Sequence, residues 1–556
     1  MSEVLDFAII GGGASGIYTA WRLANAAGDE LAEIRKRIGG EGPLKIAVHE
    51  RSGRIGGRLL SASPPMMPDT PMELGGMRYL NNQPLVKGLV ETKLKVKHHQ
   101  QVVDAPDNIA WLRRKRFKQS DLDKPGTDLP YNLTDAERAV VTDPKSGSPA
   151  QLIFWAVYQE FPEIEGMPPE KLKPYLRTLN VDGRPLSDVG FWNLLARHLS
   201  HEGRQLAITA IGYDVLGANA NAVDIIAENF DFTPNSEYFL FDDGFESVIW
   251  ELAEQFQHAG GDIRMGMSLD SFDDAAMPDG GAGMELRFEG GQSALARAVV
   301  LAMPQAAIQA LRRAGPLLDP MRAPHVQGML NSVEGIPLYK LFVIYDTPWW
   351  QEKCGLKAGR SLTDIPVRQC YYWSTNVGKP SAIMAYNDQA STSFWGGYQT
   401  GPLGPRDAAQ SPAGPIMFEG ERCDWVPPTD KLAERRLKNW ADHKAPHDMV
   451  AAMHRQLKEM HGVTDAPEPV DAAFMDWMNP PYGGAVHFWN PGYKSWEMLD
   501  AIPQPVKDLN VFIVGESFST VQTWVEGAFQ TAEIALQKRL GMAPPPWVPG
   551  DGGKAE

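Results

Sequence analysis

Cysteine is nearly absent. There are three in 556 residues, Cys354, Cys370 and Cys423, widely separated and odd in number. That is neither a metal-ligand spacing nor a disulfide framework, and it suits a reducing compartment. No metal site is expected. Long apolar runs are missing as well: nothing reaches the ~18 uninterrupted apolar residues of a membrane span, so no membrane partner is expected. Positive charge is in deficit, with 53 Lys and Arg against 69 Asp and Glu for a net charge of -16, and no long basic stripe interrupts it. Nucleic acid is therefore not an expected partner. The first apolar run begins within a few residues of Met1, leaving no space for a signal peptide. A cytoplasmic protein is expected, with secretion of a processed form left open.

A hydrophobic content of 43% is ample for real cores, and the length suggests three or four domains' worth of chain. Phe7-Ala8-Ile9-Ile10 runs into Gly11-Gly12-Gly13-Ala14-Ser15-Gly16, and a helical pattern follows from Ile17 to Ala27. This strand, tight turn and helix form a dinucleotide-binding fingerprint. Gly11 makes the turn, Gly13 lets a pyrophosphate approach, Gly16 allows helix-on-strand packing, and the helix start at Ala14 and Ser15 supplies amide donors. A second strand, Lys45 to His49, ends on Glu50, placed for a ribose hydroxyl. Glu50 lies 34 residues beyond Gly16 rather than about 20. The polar insertion 28–43, with Arg35-Lys36-Arg37 and four glycines, reads as an extended loop. Arg51 to Arg58, arginines among glycines that include Gly57, then suits a diphosphate.

Together with Glu73-Leu74-Gly75-Gly76-Met77-Arg78-Tyr79, Val511 to Glu516 and Trp524-Val525-Glu526-Gly527-Ala528, these motifs resemble the flavin monoamine oxidase and L-amino acid oxidase family of FAD proteins across essentially the whole chain. The resemblance implies an α/β fold: a Rossmann-type FAD-binding domain (1–80, 237–320 and 490–545), a mixed α+β substrate-binding domain (81–120 and 321–489) and a helical insertion (121–236). It places Arg51 and Arg58 over the FAD pyrophosphate, Leu269 against the adenine, Met303 beside the cofactor, and Gly75, Gly76 and Met77 along the reactive side of the flavin. Thr523-Trp524-Val525-Glu526 fits a capping box. After Gly515 and Glu516, the amides of that turn, led by Val525, would face flavin N1 and the C2 carbonyl, with Trp524 at the site. Where mammalian monoamine oxidases carry the cysteine joined to FAD, this chain has Ala485, and no cysteine or histidine lies near Glu516 in sequence, so the FAD is expected to be non-covalent.

Between these motifs the pattern is helical from about Asp121 to Glu228 and again from Asp242-Asp243-Gly244-Phe245 through Trp250 to His258, with a hairpin over 268–272 and 284–288 and a buried strand over 298–304. A helical stretch runs from Asp430 to His461, residues 401–415 read as a surface loop, and Arg113-Arg114-Lys115-Arg116 reads as a solvated face. In the strand Leu338 to Asp346, period-two counting puts Lys340 on one face with Phe342 and Ile344. A buried ammonium is costly, so the plain alternative is a lysine reaching back to water; the resemblance instead gives Lys340 a water beside flavin N5. Val367 to Trp373 is a second strand, similar to the segment whose tyrosine contacts the substrate carboxylate. Tyr371 and Tyr372 point to opposite faces, so only one can do so, and Tyr372 is the choice. Arg78 separates substrate classes, because an arginine holds a carboxylate by two parallel hydrogen bonds and simple amines have none. The expected activity is oxidative deamination of an L-amino acid by FAD and oxygen, giving a 2-oxo acid, ammonia and hydrogen peroxide, in a homodimer or larger homo-oligomer. An amide-forming amino acid 2-monooxygenase, an amine or polyamine oxidase, and a non-catalytic flavoprotein are the rival readings.

Overall fold

The computed structural model describes residues 4–122, 124–145, 147–214, 218–231, 236–400, 423–427, 432–479 and 482–550. Two sheets organise them. In the first, Asp262–Met265, Ile46–His49, Val4–Ile10, Ser293–Leu301 and Val511–Ile513 run parallel in that spatial order. The hairpin Leu269–Ala276 and Ala282–Phe288 joins antiparallel along the first half of Ser293–Leu301. Val4–Ile10 reads as a continuous apolar run because both its faces are covered. Phe7 and Ile9 pack with Ile17, Ile249 and Phe529 of three helices, while Leu5, Ala8 and Ile10 pack with Phe272 and Leu286 of the hairpin and with Leu317 and Val326. This is the α/β, Rossmann-type architecture expected.

The second sheet has seven strands: Asp471–Asp476, Leu338–Tyr345, Ser381–Asp388, Gln369–Ser374, Arg360–Thr363, Ile109–Leu112 and Lys115–Lys118. It is antiparallel except where Arg360–Thr363 lies beside Ile109–Leu112. Leu338–Tyr345 is interior and buried throughout. Tyr339, Leu341, Val343 and Tyr345 face Trp349, Trp395 and Met449, whereas Phe342 and Ile344 face Met475 and Trp477, so Lys340 shares the second face as period two requires. Helices between Asp135 and Asp231 pack around Leu152, Leu194, Leu206 and Ile226. No described helix is long and apolar enough to cross a membrane.

The loop expected over 28–43 is a helix, Asp29–Ile38. Ile34 and Ile38 bury one narrow stripe, Asp29 and Glu30 start it, and Arg35, Lys36 and Arg37 end it, which suits the helix dipole; the flanking glycines hid this pattern. Residues 401–415 and Asp430 lie outside the described residues, and helices follow at Leu432–Asp442 and His447–His461. Arg113 and Lys115 lie exposed on a strand pair, bonded to Glu202 and Asp128.

Candidate active site

A cavity of about 840 Å³ runs from the end of Val4–Ile10 to the face of the second sheet that carries Lys340. Its first half is shaped by glycine. Gly11 has φ +111, and a Cβ there would stand 2.5 Å from the Ala302 carbonyl oxygen; at Gly16 a Cβ would stand 2.0 Å from the Gly11 oxygen. A Cβ on Gly57, at φ +59, would meet Gly13 Cα at 3.0 Å. Two bare backbones thus form one cradle. The helix Ala14–Ala24 that leaves it has no side-chain cap and no acid in its first turn, so its leading amides are available to an anion. Glu50 closes the turn by accepting from the Gly12 amide at 2.6 Å and the Ser52 amide at 2.8 Å. Arg58 donates to the Ala485 carbonyl at 2.7 Å and to Glu516 at 2.9 Å.

Glu516 organises the middle of the cavity. Its carboxylate accepts from Arg58, from the His487 amide and ring, and from the Thr523 amide. Burial would raise this carboxyl, but Arg58 and His487 hold it down at about 2. Thr523 sits at φ +74 and leads into the helix Val525–Ile534, whose N-cap Trp524 makes no side-chain cap. The expected capping box is therefore not formed. Glu526 turns away to accept the Leu85 and Val86 amides at 2.9 and 2.8 Å, and burial pushes it up to about 7. The helix start is left facing the cavity with its own amides.

At the far end, Lys340 is 2% exposed. Its Nζ donates to the Glu73 carbonyl at 3.0 Å and to the Gly75 carbonyl, pinning the segment that leads to Arg78. Burial lowers the lysine and raises the neighbouring Glu73 carboxyl. Arg78 is buried, donates to Gln101 Oε1 at 3.0 Å and Tyr213 Oη at 3.1 Å, and lies 4.2 Å over the Tyr238 ring. Among the described residues it pairs with no carboxylate. Arg360, by contrast, is held by Asp104 at 2.9 Å and Gln369 at 2.6 Å.

Most of the residues singled out from sequence meet here. Gly11, Gly13, Ala14, Ser15, Glu50, Arg51, Gly57, Arg58, Leu269 and Met303 line the first half; Gly515, Glu516, Trp524, Val525, Gly75, Gly76, Met77, Arg78 and Lys340 line the rest. Gly16 stays behind the wall as a packing residue. Tyr372 is a correction: its hydroxyl bonds Ser361 at 2.7 Å and His461 at 2.9 Å within an apolar cluster on the opposite face of the sheet. Tyr371 is on the cavity side, just behind the lining, with its hydroxyl on Gln369 and its ring 6.5 Å from that of Tyr386. Tyr213, Tyr386 and Arg360 line the cavity and were missed. Tyr213 had a signal, since Gly212 ends the preceding helix in the left-handed conformation and turns the chain inward. His487, remote from Glu516 in sequence, stands against it in space, with Nε2 3.3 Å from Ser517 Oγ.

The arrangement fits FAD. The glycine cradle, the free helix amides and the two arginines suit a pyrophosphate, Glu50 suits a ribose, and the second helix start suits an electron-rich ring edge. The sequence model of a family described as flavin containing amine oxidoreductase matches residues 14–395 and 434–536. Aplysianin-A of Aplysia kurodai is 25% identical over 565 residues, 96% of this chain and 90% of that protein. L-amino-acid oxidase 4 of Hebeloma cylindrosporum is 25% identical over 230 residues, 40% of this chain and 31% of that one. A solved structure of putrescine oxidase bound to putrescine superposes with a TM-score of 0.61 over 97% of this chain and 99% of its own at 15% identity, a likeness of fold.

Proposed function

The chain belongs to the family of flavin containing amine oxidoreductases, and we propose that within it this protein is an FAD-dependent L-amino acid oxidase. The observation that carries the reading is Arg78: a buried guanidinium at the cavity wall, with two neutral side-chain acceptors and no counter-ion among the described residues. A charge left so is costly unless a ligand supplies its partner, and an α-carboxylate does so with two parallel hydrogen bonds. FAD, when bound there, would supply the acceptor for hydride from the α-carbon of the unprotonated amine, with oxygen as the final electron acceptor.

The chain's own residues do the rest. Arg78 holds the carboxylate, and Tyr213, already its acceptor, fixes the guanidinium plane. Lys340 keeps residues 73–75, and through them Arg78, in place by its two carbonyl bonds; the remaining position on its nitrogen can hold a water at the cavity wall. Arg58 and Glu516 tie the flanking segments together, and Val525 begins the helix whose dipole favours negative charge on the cofactor.

A peroxide assay of the FAD-loaded protein with matched L-amino acids, D-amino acids and decarboxylated amines tests this. L-amino acids should be turned over best, with the amines at least ~10-fold poorer in kcat/KM. Preference for the amines would make this an amine oxidase and leave Arg78 without its assigned ligand.

A further inference from the structure

A second charged side chain on the cavity wall also lacks a partner. Glu228, on the helix Ala222–Asp231, lines the same cavity as Arg78 and is partly buried there. Among the described residues it makes no hydrogen bond and no ion pair. Lys173, the cation on its side, is taken up by Asp231 at 2.7 Å. The other charges that act on Glu228 are acidic: Asp224 and Asp231, about one turn away on its own helix, and Glu516. Burial first, and then Asp231, push its carboxyl up to about 8. A helix that needed only an apolar wall would gain by having no acid there. The same cavity is also lined by the apolar side chains of Ala150, Phe154, Ile211 and Phe488. These are surfaces for methylene groups.

We propose that Glu228 is a specificity-determining residue that binds the cationic end of the substrate side chain, so that the preferred substrates are basic L-amino acids. The assignment rests on the carboxylate reading of Arg78. Among the charged side chains that line the cavity, Arg360 has Asp104, Glu516 has Arg58 and Lys340 has two carbonyls, whereas among the described residues neither Arg78 nor Glu228 makes an ion pair. One asks for an anion and the other for a cation, and the cavity they share has apolar lining that suits a methylene stem. Binding an ammonium or guanidinium ionises Glu228 and forms a charge-assisted hydrogen bond in a partly dehydrated place.

The test compares L-lysine, L-norleucine and cadaverine as substrates of the FAD-loaded wild type and Glu228→Gln. Norleucine keeps the stem and the α-carbon but lacks the ammonium, and cadaverine lacks the carboxylate. The expected result is a wild type that prefers lysine to norleucine, with the lysine-to-norleucine ratio of kcat/KM falling roughly 10- to 100-fold in Glu228→Gln. An unchanged ratio, or a wild type that prefers norleucine, overturns the proposal. If the variant loses its flavin, the wild-type preference alone decides. Turnover of cadaverine but of neither amino acid sinks the amino acid reading instead, and Glu228 is then judged by whether Glu228→Gln loses cadaverine turnover.

Discussion

Arg78→Ala is the perturbation with the most to say about substrate. In the wild type the guanidinium is stacked on Tyr238 and bonded to Gln101 and Tyr213, all three neutral. Removing it costs the fold those two hydrogen bonds, roughly 1 kcal/mol each, an amount that a protein of this size can lose while still holding its cofactor. The substrate loses more. A carboxylate left in a partly dehydrated pocket without its charged partner costs roughly 2 to 5 kcal/mol, which is roughly 30-fold to several thousand-fold in kcat/KM at about 1.4 kcal/mol per decade. Arg78→Lys keeps the charge but not the planar fork and should recover only part of this. Steady-state kinetics on paired substrates, an L-amino acid and the amine made by removing its carboxyl group, separate the two costs, because the amine never used the arginine. Equal loss of both, in a variant that retains its flavin spectrum, would refute the assignment and make Arg78 a residue of the flavin site or the fold.

Three other outcomes are expected. Lys340→Met should slow reoxidation or imine release more than substrate binding, as resolved by stopped-flow of the two half-reactions; normal rates in both would reduce Lys340 to a structural clamp on residues 73–75. FAD should be released by acid precipitation, because Ala485 cannot form a thioether and both ring nitrogens of the neighbouring His487 are engaged by Glu516 and Ser517; yellow colour retained in the washed pellet contradicts this. Glu526 is held at about 7 against an ordinary 4.5, so the folded state keeps a proton that the unfolded chain releases between those pH values. Wild-type stability is therefore lost as pH rises through that window, by at most about 1.4 kcal/mol per unit. Glu526→Gln has no such proton, and its Tm relative to wild type should climb between pH 5 and pH 8; a constant difference is the opposing result.

The cofactor half of the site was legible because backbone geometry forces its residues. Only glycine fits at Gly11 and Gly16, where a Cβ would strike carbonyl oxygens, and a strand that ends on an acid beside such a turn has few other uses. Period two placed Lys340 on one face with Phe342 and Ile344, but its part in the site came from the resemblance. The same counting placed Tyr371 and Tyr372 on opposite faces but could not say which face the cavity took, since apolar neighbours flank both. Glu526 matched a local cap yet found two amides at Leu85 and Val86 instead, a tertiary partner that no spacing rule contains. Tyr213, Glu228, Arg360 and Tyr386 come from four separate stretches of the chain and carry no shared motif. Only the folded chain puts them around one cavity.

Product analysis of a single turnover separates an L-amino acid oxidase from its rivals. The FAD-loaded protein is reduced anaerobically with an L-amino acid, oxygen is admitted, and the products are counted. One 2-oxo acid, one ammonia and one hydrogen peroxide per flavin are expected, with no bleaching by the matched D-amino acid. A carboxamide and carbon dioxide in place of the oxo acid, ammonia and peroxide, or a flavin that L-amino acids do not bleach at all, would contradict an L-amino acid oxidase.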